Sequence, residues 1–137
     1  MTDLNVMSEK IKDIMGAVPR IKSSYDHEPQ NMSVLPASTL FFDGFTQNDS
    51  ATRRKTVNWR WLIRIYIPIR TSDIKQPQEE IRNLVQDSIK QLRSDPSLGG
   101  TCLYHNVSSG EVSALLEQSN PLLLLELTLE ATTGEEF

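Results

Sequence analysis

VNWRWLIRIYIPIR, residues 57–70, alternates apolar and polar side chains more regularly than any other part of the chain. Successive side chains of an extended strand point to opposite faces, so this segment predicts a long strand with one apolar face. The apolar face comprises Val57, Trp59, Trp61, Ile63, Ile65, Ile67 and Ile69. The other face comprises Asn58, Arg60, Leu62, Arg64, Tyr66, Pro68 and Arg70. We expect a hydrophobic core over the first face, whereas the arginine-rich face is solvated or binds another molecule.

The two ends of this strand carry signals of how it is connected. Pro68 lacks a backbone donor, so it indicates a sheet edge, a bulge or the end of strand pairing. Before the strand, residues 47–55, QNDSATRRK, are polar and lack periodicity. They predict an extended hairpin loop of the kind that often becomes ordered against a partner.

Two amphipathic helices are predicted, one before this strand in the sequence and one after it. Residues 3–18 carry apolar side chains at helical spacing, a pattern typical of a helix packed on a sheet, with a partner-binding helix as the alternative. A second helix is predicted to have Pro77 in its first turn, Thr71-Ser72-Asp73 as its caps and Glu79-Glu80 near its positive end. Its buried stripe consists of Ile81, Leu84, Val85, Ile89 and Leu92.

Shorter strands complete the predicted fold. They are expected at residues 20–25, 38–45, 101–107 and 121–131, with a turn at Leu98-Gly99-Gly100. Residues 108–120 are polar and variable in character, and residues 135–137 are expected to be a frayed end. Strand runs interrupted by one crossover-length helix predict an α+β fold, a mostly antiparallel sheet covered on one face by two main helices. A single domain is expected over residues 1–137.

Composition excludes several classes of protein. The formal net charge of −4 argues against a general nucleic-acid binder, which would normally carry a basic surface. One cysteine, Cys102, excludes an internal disulfide and favours a reducing compartment. No apolar run is long enough to cross a bilayer, and the first residues do not resemble a signal peptide, so no membrane association is expected.

Residue spacing gives no catalytic, cofactor-binding or metal site. His27 and His105 have no second ligand at helical or hairpin spacing, and Cys102 is expected to be a small core residue. The rival hypothesis is a small enzyme or ligand-binding domain. Its reactive cluster would be Cys102, Tyr104 and His105, and it would need a concave pocket.

The order of these features resembles the tail-terminator (tail-completion) proteins of long-tailed bacteriophages. The resemblance begins with the amphipathic N-terminal helix, the Leu35-Pro36 step into a strand and the tryptophan-bearing strand reached through a loop. Residues 92–101, LRSDPSLGGT, are similar to the family's L-x-x-D-x-x-L-G-G turn, which precedes two strands and a short acidic end. Pro68 and the 108–120 insertion depart from or lie outside the family pattern.

The resemblance implies a structural virion protein and no enzyme or cofactor. Such a protein forms a ring, typically of six copies, that caps the tail tube, stops its polymerisation and meets the head connector. It would be made in the host cytoplasm and reside in the neck of the virion. Another neck component, a head-completion or connector-stopper protein, remains an alternative.

The ring would need two different contact patches on each copy. The interface candidates are Arg53, Arg54, Lys55, Arg60, Arg64 and Arg70. Six copies at −4 carry about −24, and an acidic lumen would let genomic DNA pass without specific binding, whereas basic residues would retain phosphate. We therefore expect residues 53–55 to face neighbouring proteins, so that changing all three to Glu blocks assembly while the monomer stays folded.

Overall fold

A computed structural model describes residues 2–32, 34–49, 54–69, 75–116 and 121–136. The long alternating strand is present and lies in the middle of a five-stranded sheet. The elements, in chain order, are α1 (Leu4–Gly16), β1 (Ser23–Ser24), β2 (Ala37–Asp49), β3 (Arg54–Pro68), α2 (Lys75–Arg93), β4 (Tyr104–Leu115) and β5 (Leu122–Glu136).

The sheet has the strand order β1-β2-β3-β5-β4. The two-residue β1 pairs parallel with the start of β2, and all other neighbours are antiparallel. β3 and β5 pair in unbroken register from Arg54↔Glu136 to Pro68↔Leu122. With both helices on one face, the fold is the α+β arrangement expected from the sequence.

The core lies between the helices and the apolar faces of β3 and β5. Ile63, Ile65 and Ile67 of β3 are fully buried, which confirms the predicted alternation. Trp61 lies at the end of this row, and its Nε1 donates to the Sδ of Met7 in α1 at 3.3 Å. The helix side chains that complete the core are Met7, Ile11, Met15, Ile81, Leu84 and Leu92.

Both helices form where the sequence predicts them. The carboxylate of Asp3 caps α1 by accepting hydrogen bonds from the backbone N–H groups of Asn5 and Val6. α2 begins at Lys75, so Glu79-Glu80 lie beyond its first turn and contribute less at its positive end than expected. The predicted caps at 71–73 lie outside the described residues.

The connection from α2 to β4 is the predicted tight turn. Leu98, Gly99 and Gly100 all have positive φ, at 49°, 67° and 85°. A side chain at Gly99 would also place its Cβ 2.9 Å from the Cδ of Lys10. The Lys10 side chain can move aside, so the left-handed backbone conformation is what favours glycine there.

The strands are longer than the sequence predicts, with one exception. Residues 47–49 and 54–55, expected as loop, belong to β2 and β3, and residues 47–49 pair with residues 55–57 across the hairpin; the rest of that predicted loop lies outside the described residues. β4 begins later than predicted but continues through residues 108–115. β5 continues through Glu136, where a frayed end was expected. The exception is the strand at 20–25, which shortens to Ser23–Ser24. Pairing with a neighbouring strand overrides weak local propensity in the longer elements.

Pro68 marks the end of strand pairing, one of the three roles expected for it. It is the last residue of β3 and pairs with Leu122, the first residue of β5. β3 as a whole lies between β2 and β5, but its pairing with β2 ends at Tyr66↔Ala37, so Pro68 is paired on its β5 side alone and lies at a local edge of the sheet. A residue without a backbone donor is tolerated at this end position because few ladder hydrogen bonds remain beyond it.

Candidate assembly surface

The outer edge of β2 is covered only near its start. β1 pairs with Ala37 and Ser38, and the backbone N–H of Tyr25 donates to the carbonyl of Ser38. Glu28 then accepts a hydrogen bond from the Thr39 hydroxyl at 2.6 Å. Within the described part of the chain, no strand pairs with the outer edge of residues 42–49, which we call the β2 edge segment.

A bulge places two phenylalanines of this segment on the same face. Pairing with β3 shifts register between Phe42 and Gly44, so Phe42 lies opposite Trp61 and Phe45 opposite Trp59. Without the extra residue, side chains three positions apart would point to opposite faces. Gly44 has a φ of 121°, a conformation that other residues rarely adopt.

The resulting aromatic cluster consists of Phe42, Phe45, Trp59 and Trp61. Ring centroids lie 5.0 Å apart for Phe42 and Trp61, and 5.5 Å apart for Phe45 and Trp59. Phe42 is 39% exposed and Phe45 is 56% exposed, because the cluster continues past the helices. Exposed adjacent aromatic side chains at a sheet edge are typical of a protein–protein contact.

The opposite edge of the sheet is β4. Its residues 108–114 are all exposed, so the helices cover neither face of this half of the strand. Val112 is 46% exposed although it points to the helix-covered side, opposite Leu125. No described strand pairs with the outer edge of residues 108–115, which we call the β4 edge segment. A long unprotected edge is a template for pairing with another chain.

The face of the sheet away from the helices, the open face, carries paired charges. Arg64 donates from Nε to Oε2 of Glu126 at 2.8 Å and from Nη1 to Oε1 of Glu28 at 3.1 Å. These hydrogen bonds, with Glu126 contributing most, raise the pKa of Arg64. Its guanidinium also lies 5.3 Å from the ring centre of Phe41. Arg64 is therefore held on its own sheet.

Arg60 is held in a similar way. Its Nη1 donates to the hydroxyl of Thr46 at 2.8 Å, and its Nε lies 3.8 Å from a carboxylate oxygen of Asp43. The cross-strand neighbour of Arg60 on β5 is Glu130. The predicted basic face is thus a mixed face, in which carboxylates accompany the arginines.

The structure describes two of the other four interface candidates. Arg54 and Lys55 begin β3, and their positions pair with Glu136 and Glu135 of β5. Lys55 and Glu135 are oppositely charged residues at facing positions of two strands, which stabilises the pairing modestly. Arg53 and Arg70 lie outside the described residues. Among the described candidates, Arg60 and Arg64 lie on the open face, whereas Lys55 lies near the β2–β3 hairpin.

The three residues of the rival reactive cluster point in different directions. Tyr104 pairs with Thr132 on the open face, whereas His105 lies opposite Ala131 on the helix-covered side. His105 Nε2 lies 2.9 Å from the carbonyl oxygens of both Leu92 and Asp95, so it donates to the end of α2. His105 Nδ1 is buried and has no partner among the described residues.

Cys102 is buried, at 8% exposure, as expected for a small core residue. Burial, with a smaller contribution from nearby Asp95, raises the pKa of the Cys102 thiol to about 11. The thiolate needed for nucleophilic attack is therefore scarce at neutral pH. Cys102 borders a surface cleft of about 360 Å³, and neither Tyr104 nor His105 lines it; the lining residues are Thr2, Asp3, Val6, 100–103 and 133–135.

Metal and membrane sites can be assessed over the described ranges alone. There, no three His, Cys, Asp or Glu side chains come together to hold a metal ion. Neither α1 nor α2 has the length and apolar character needed to cross a bilayer.

Comparison with known proteins adds no family. No model of a known protein family matches the chain, and no curated protein sequence matches it either. The geometry of the two edge segments and of the open face is therefore the basis for proposing a function.

Sequence reasoning missed both edge segments, although each leaves a trace. Residues 41–45, FFDGF, place a glycine within a strand, which is a signal for a bulge. Residues 109–114, SGEVSA, alternate small or apolar residues with polar ones, as an edge strand does. Neither trace shows that the edge lacks a partner, because that depends on which strands become neighbours.

Proposed function

We propose that this chain is a ring-forming structural protein of a long-tailed bacteriophage. In this proposal it caps the tail tube, stops its polymerisation and joins the tail to the head connector. It would act in the neck of the virion and carry no catalytic centre. The order of elements and the LRSDPSLGGT turn, which resemble tail terminators, support this assignment.

One observation carries the proposal: the β2 and β4 edge segments lie at opposite edges of one sheet, and neither pairs with another strand among the described residues. Two different patches on each copy form a heterologous interface, which closes into a ring when rotation brings the last copy back to the first. A monomeric protein normally shields such edges with charge, proline, a bulge or a covering loop, and the β2 edge segment has a bulge. Phe45 and Val112 instead expose apolar side chains at these two edges.

The charges of the open face fit a channel for DNA. Arg60 and Arg64 are accompanied by Glu28, Glu126 and Glu130 on the same face. Guanidinium groups that are already paired with carboxylates offer few free charges to phosphate. Binding of DNA would therefore release few counterions, and its affinity would be low. A ring presenting this face to DNA would let the duplex pass without retaining it.

The first experiment measures mass in solution by light scattering over a concentration series, with negative-stain images of the same samples. A closed ring with a central hole is expected, formed by the chain alone or on the ends of purified tail tubes. Addition of the chain to polymerising tube protein should also stop tube growth. If the chain neither binds tube ends nor stops growth, the terminator function is wrong; binding to the head connector alone would identify a different neck component.

A second experiment tests whether Arg53, Arg54 and Lys55 contact neighbouring proteins. Changing all three to Glu would put carboxylates opposite Glu135 and Glu136, so a loss of assembly could reflect a weakened hairpin. Changing them to Gln removes the same positive charges without that repulsion. The Gln variant should stay folded and lose at least tenfold in affinity for tube ends or connector.

The matched control changes three exposed basic residues of α2, Arg82, Lys90 and Arg93, to Gln. This control has the same net charge as the hairpin variant, so it separates a local contact from a general charge effect. If both variants assemble alike, residues 53–55 do not lie in the contact.

A further inference from the structure

We propose that neighbouring copies in the ring join edge to edge, so that the sheet continues from one copy to the next. The β4 edge segment of one copy pairs antiparallel with the β2 edge segment of the next. Phe45 then lies opposite Val112 of the adjoining copy. This inference rests on the ring-forming function proposed above and specifies its interface.

Strand direction supports this joint. From β2 through β3 and β5 to β4, each strand runs opposite to its neighbour. If the ring axis runs broadly along the strands, the rotation that relates one copy to the next leaves the up or down direction of each strand unchanged. β4 therefore meets the next β2 in antiparallel orientation, and the alternation continues around the ring.

The heights of the two segments are close to the geometry of a closed sheet. Val112 of the β4 segment pairs with Leu125 of β5. Phe45, near the centre of the β2 segment, pairs with Trp59 and through it with Ala131 of β5. These levels are about 20 Å apart at about 3.4 Å per residue, and four strands span about 19 Å. Joining Phe45 to Val112 therefore tilts the strands by about 47°, slightly more than the roughly 35–45° of closed barrels.

The direction of this tilt determines which face lies inside. β3 and β4 run parallel and are connected through α2, and such crossovers are right-handed in about 98% of cases. Viewed from the helix side with β3 pointing up, β4 then lies to its right. Its edge segment is high on the right of the sheet, and the β2 segment is low on the left. When the high right edge of one copy is joined to the low left edge of the next, the strands tilt around the ring. This tilt has the right-handed sense that strand twist favours only when the helices lie on the outside of the ring.

Side chains on the two segments are complementary in this register. Phe45 and Val112 both point to the helix-covered side, and both are exposed in the single chain. An aromatic side chain opposite a β-branched one is a favourable cross-strand pair. The bulge after Phe42 places the Phe42 side chain opposite Ala114 of the adjoining copy, whose small side chain leaves room for it.

The joint is small, which favours closed rings over dimers. An eight-residue edge is about 27 Å long and a sheet with its side chains about 10 Å thick, so each copy contributes about 270 Å². Stable protein interfaces bury about 800 Å² on each partner. A single joint is therefore weak, whereas closing the ring adds a joint without adding another copy.

The open face would line the lumen of such a ring. Six copies, the number implied by the family resemblance, contribute 24 strands and a sheet about 54 Å across at this tilt. Side chains reaching about 5 Å inward leave about 44 Å, which is wider than a DNA duplex. Arg60 and Arg64 would then face the lumen, paired with carboxylates, and would not lie between copies as the sequence analysis expects.

Disulfide crosslinking tests the joint directly. Thr46 and Glu111 meet on the open face in this register, so we choose Thr46→Cys/Glu111→Cys in a Cys102→Ala background. Mild oxidation should link most chains into a ladder of oligomers that ends at the copy number of the ring. The assay is run on the chain alone and on rings bound to tube ends, with Ser109→Cys and Ser113→Cys replacing Glu111→Cys to cover registers shifted by two residues.

The control is Thr46→Cys/Val112→Cys, whose thiols point to opposite faces and should link at least tenfold more slowly. Rings that cap the tube without crosslinks in any of the three registers overturn the edge joint while the proposed function stands. Crosslinked oligomers that do not bind tube ends support the joint and overturn the function. A chain that gives no crosslinks in either setting overturns the joint.

Discussion

At the scale of single residues, Glu28 connects a loop to two strands. Its carboxylate accepts hydrogen bonds from the Thr39 hydroxyl, the Arg64 guanidinium and the Tyr66 hydroxyl. Thr39 is fully buried, so its hydroxyl depends on this interaction in place of water. Burial and the adjacent carboxylate together raise the pKa of Tyr66, which keeps it a donor.

Removing this carboxylate should therefore cost more than one surface contact. Glu28→Ala is expected to lower the free energy of unfolding by about 2 kcal/mol, because a buried donor loses its acceptor. Thr39→Val removes that donor with little change in shape. Urea unfolding of the two single variants and the double variant should give a coupling energy of about 1 kcal/mol. Additive effects would show that the two side chains do not depend on each other.

Cys102 gives a prediction about pH. Its pKa is raised from 9.0 to about 11 in the folded chain, so the folded state favours the protonated thiol. The unfolded thiol ionises first, and the stability that this residue contributes is present below pH 9 and lost as pH rises from 9 through 11. Cys102→Ala should make the loss of stability over this range less steep, as measured by urea unfolding at several pH values.

Tyr66 also loses its proton at alkaline pH and serves as the control. Its pKa is raised as well, so Tyr66→Phe should reduce the loss of stability above pH 10. If Cys102→Ala leaves the pH dependence unchanged while Tyr66→Phe reduces it, the thiol does not contribute as its surroundings indicate.

At the scale of elements, the bulge in β2 positions the aromatic cluster. Gly44 occupies a φ of 121°, and a Cβ there would lie 3.0 Å from Nη2 of Arg60. Gly44→Ala should lower the free energy of unfolding by about 1–3 kcal/mol, the cost of a strained backbone position. Because Phe42 and Phe45 share a face only through the bulge, the near-ultraviolet circular dichroism of the aromatic residues should also change.

Gly134 in β5 provides a matched comparison. A Cβ there would meet only the side chain of Leu103 at 3.8 Å, an ordinary contact, and its φ is not in the left-handed region. Gly134→Ala should therefore be close to neutral in stability and leave the aromatic signal unchanged. Equal effects at the two glycines would contradict a special role for the bulge.

At the scale of the whole molecule, weak joints and ring closure predict cooperative assembly. Sedimentation velocity over a concentration series should show monomer and closed ring, with few dimers or trimers between them.

Phe45→Asp and Val112→Asp should each shift the transition from monomer to ring to at least tenfold higher concentration, because both change an exposed side chain at the joint. Val6→Asp, at an exposed position on α1, is the control and should assemble normally. A stable dimer would contradict the ring geometry.

The sequence by itself determined the elements whose signals are local. The alternation around Trp61 predicted β3, the apolar stripes predicted both helices, and Leu98-Gly99-Gly100 predicted the turn before β4. In each case one residue period or one backbone preference reports burial or conformation within a few positions, so no distant contact is needed to read it.

Only the tertiary structure decided the features on which the proposals depend. The polar ends of β2 and β5 became strand because each lies beside β3, and the bulge at Gly44 became visible through its register with that strand. The carboxylates that hold Arg60 and Arg64 come from distant parts of the chain or from other strands. Strand neighbours and charge partners are set by contacts between residues far apart in sequence, and local composition carries little information about which residues those will be.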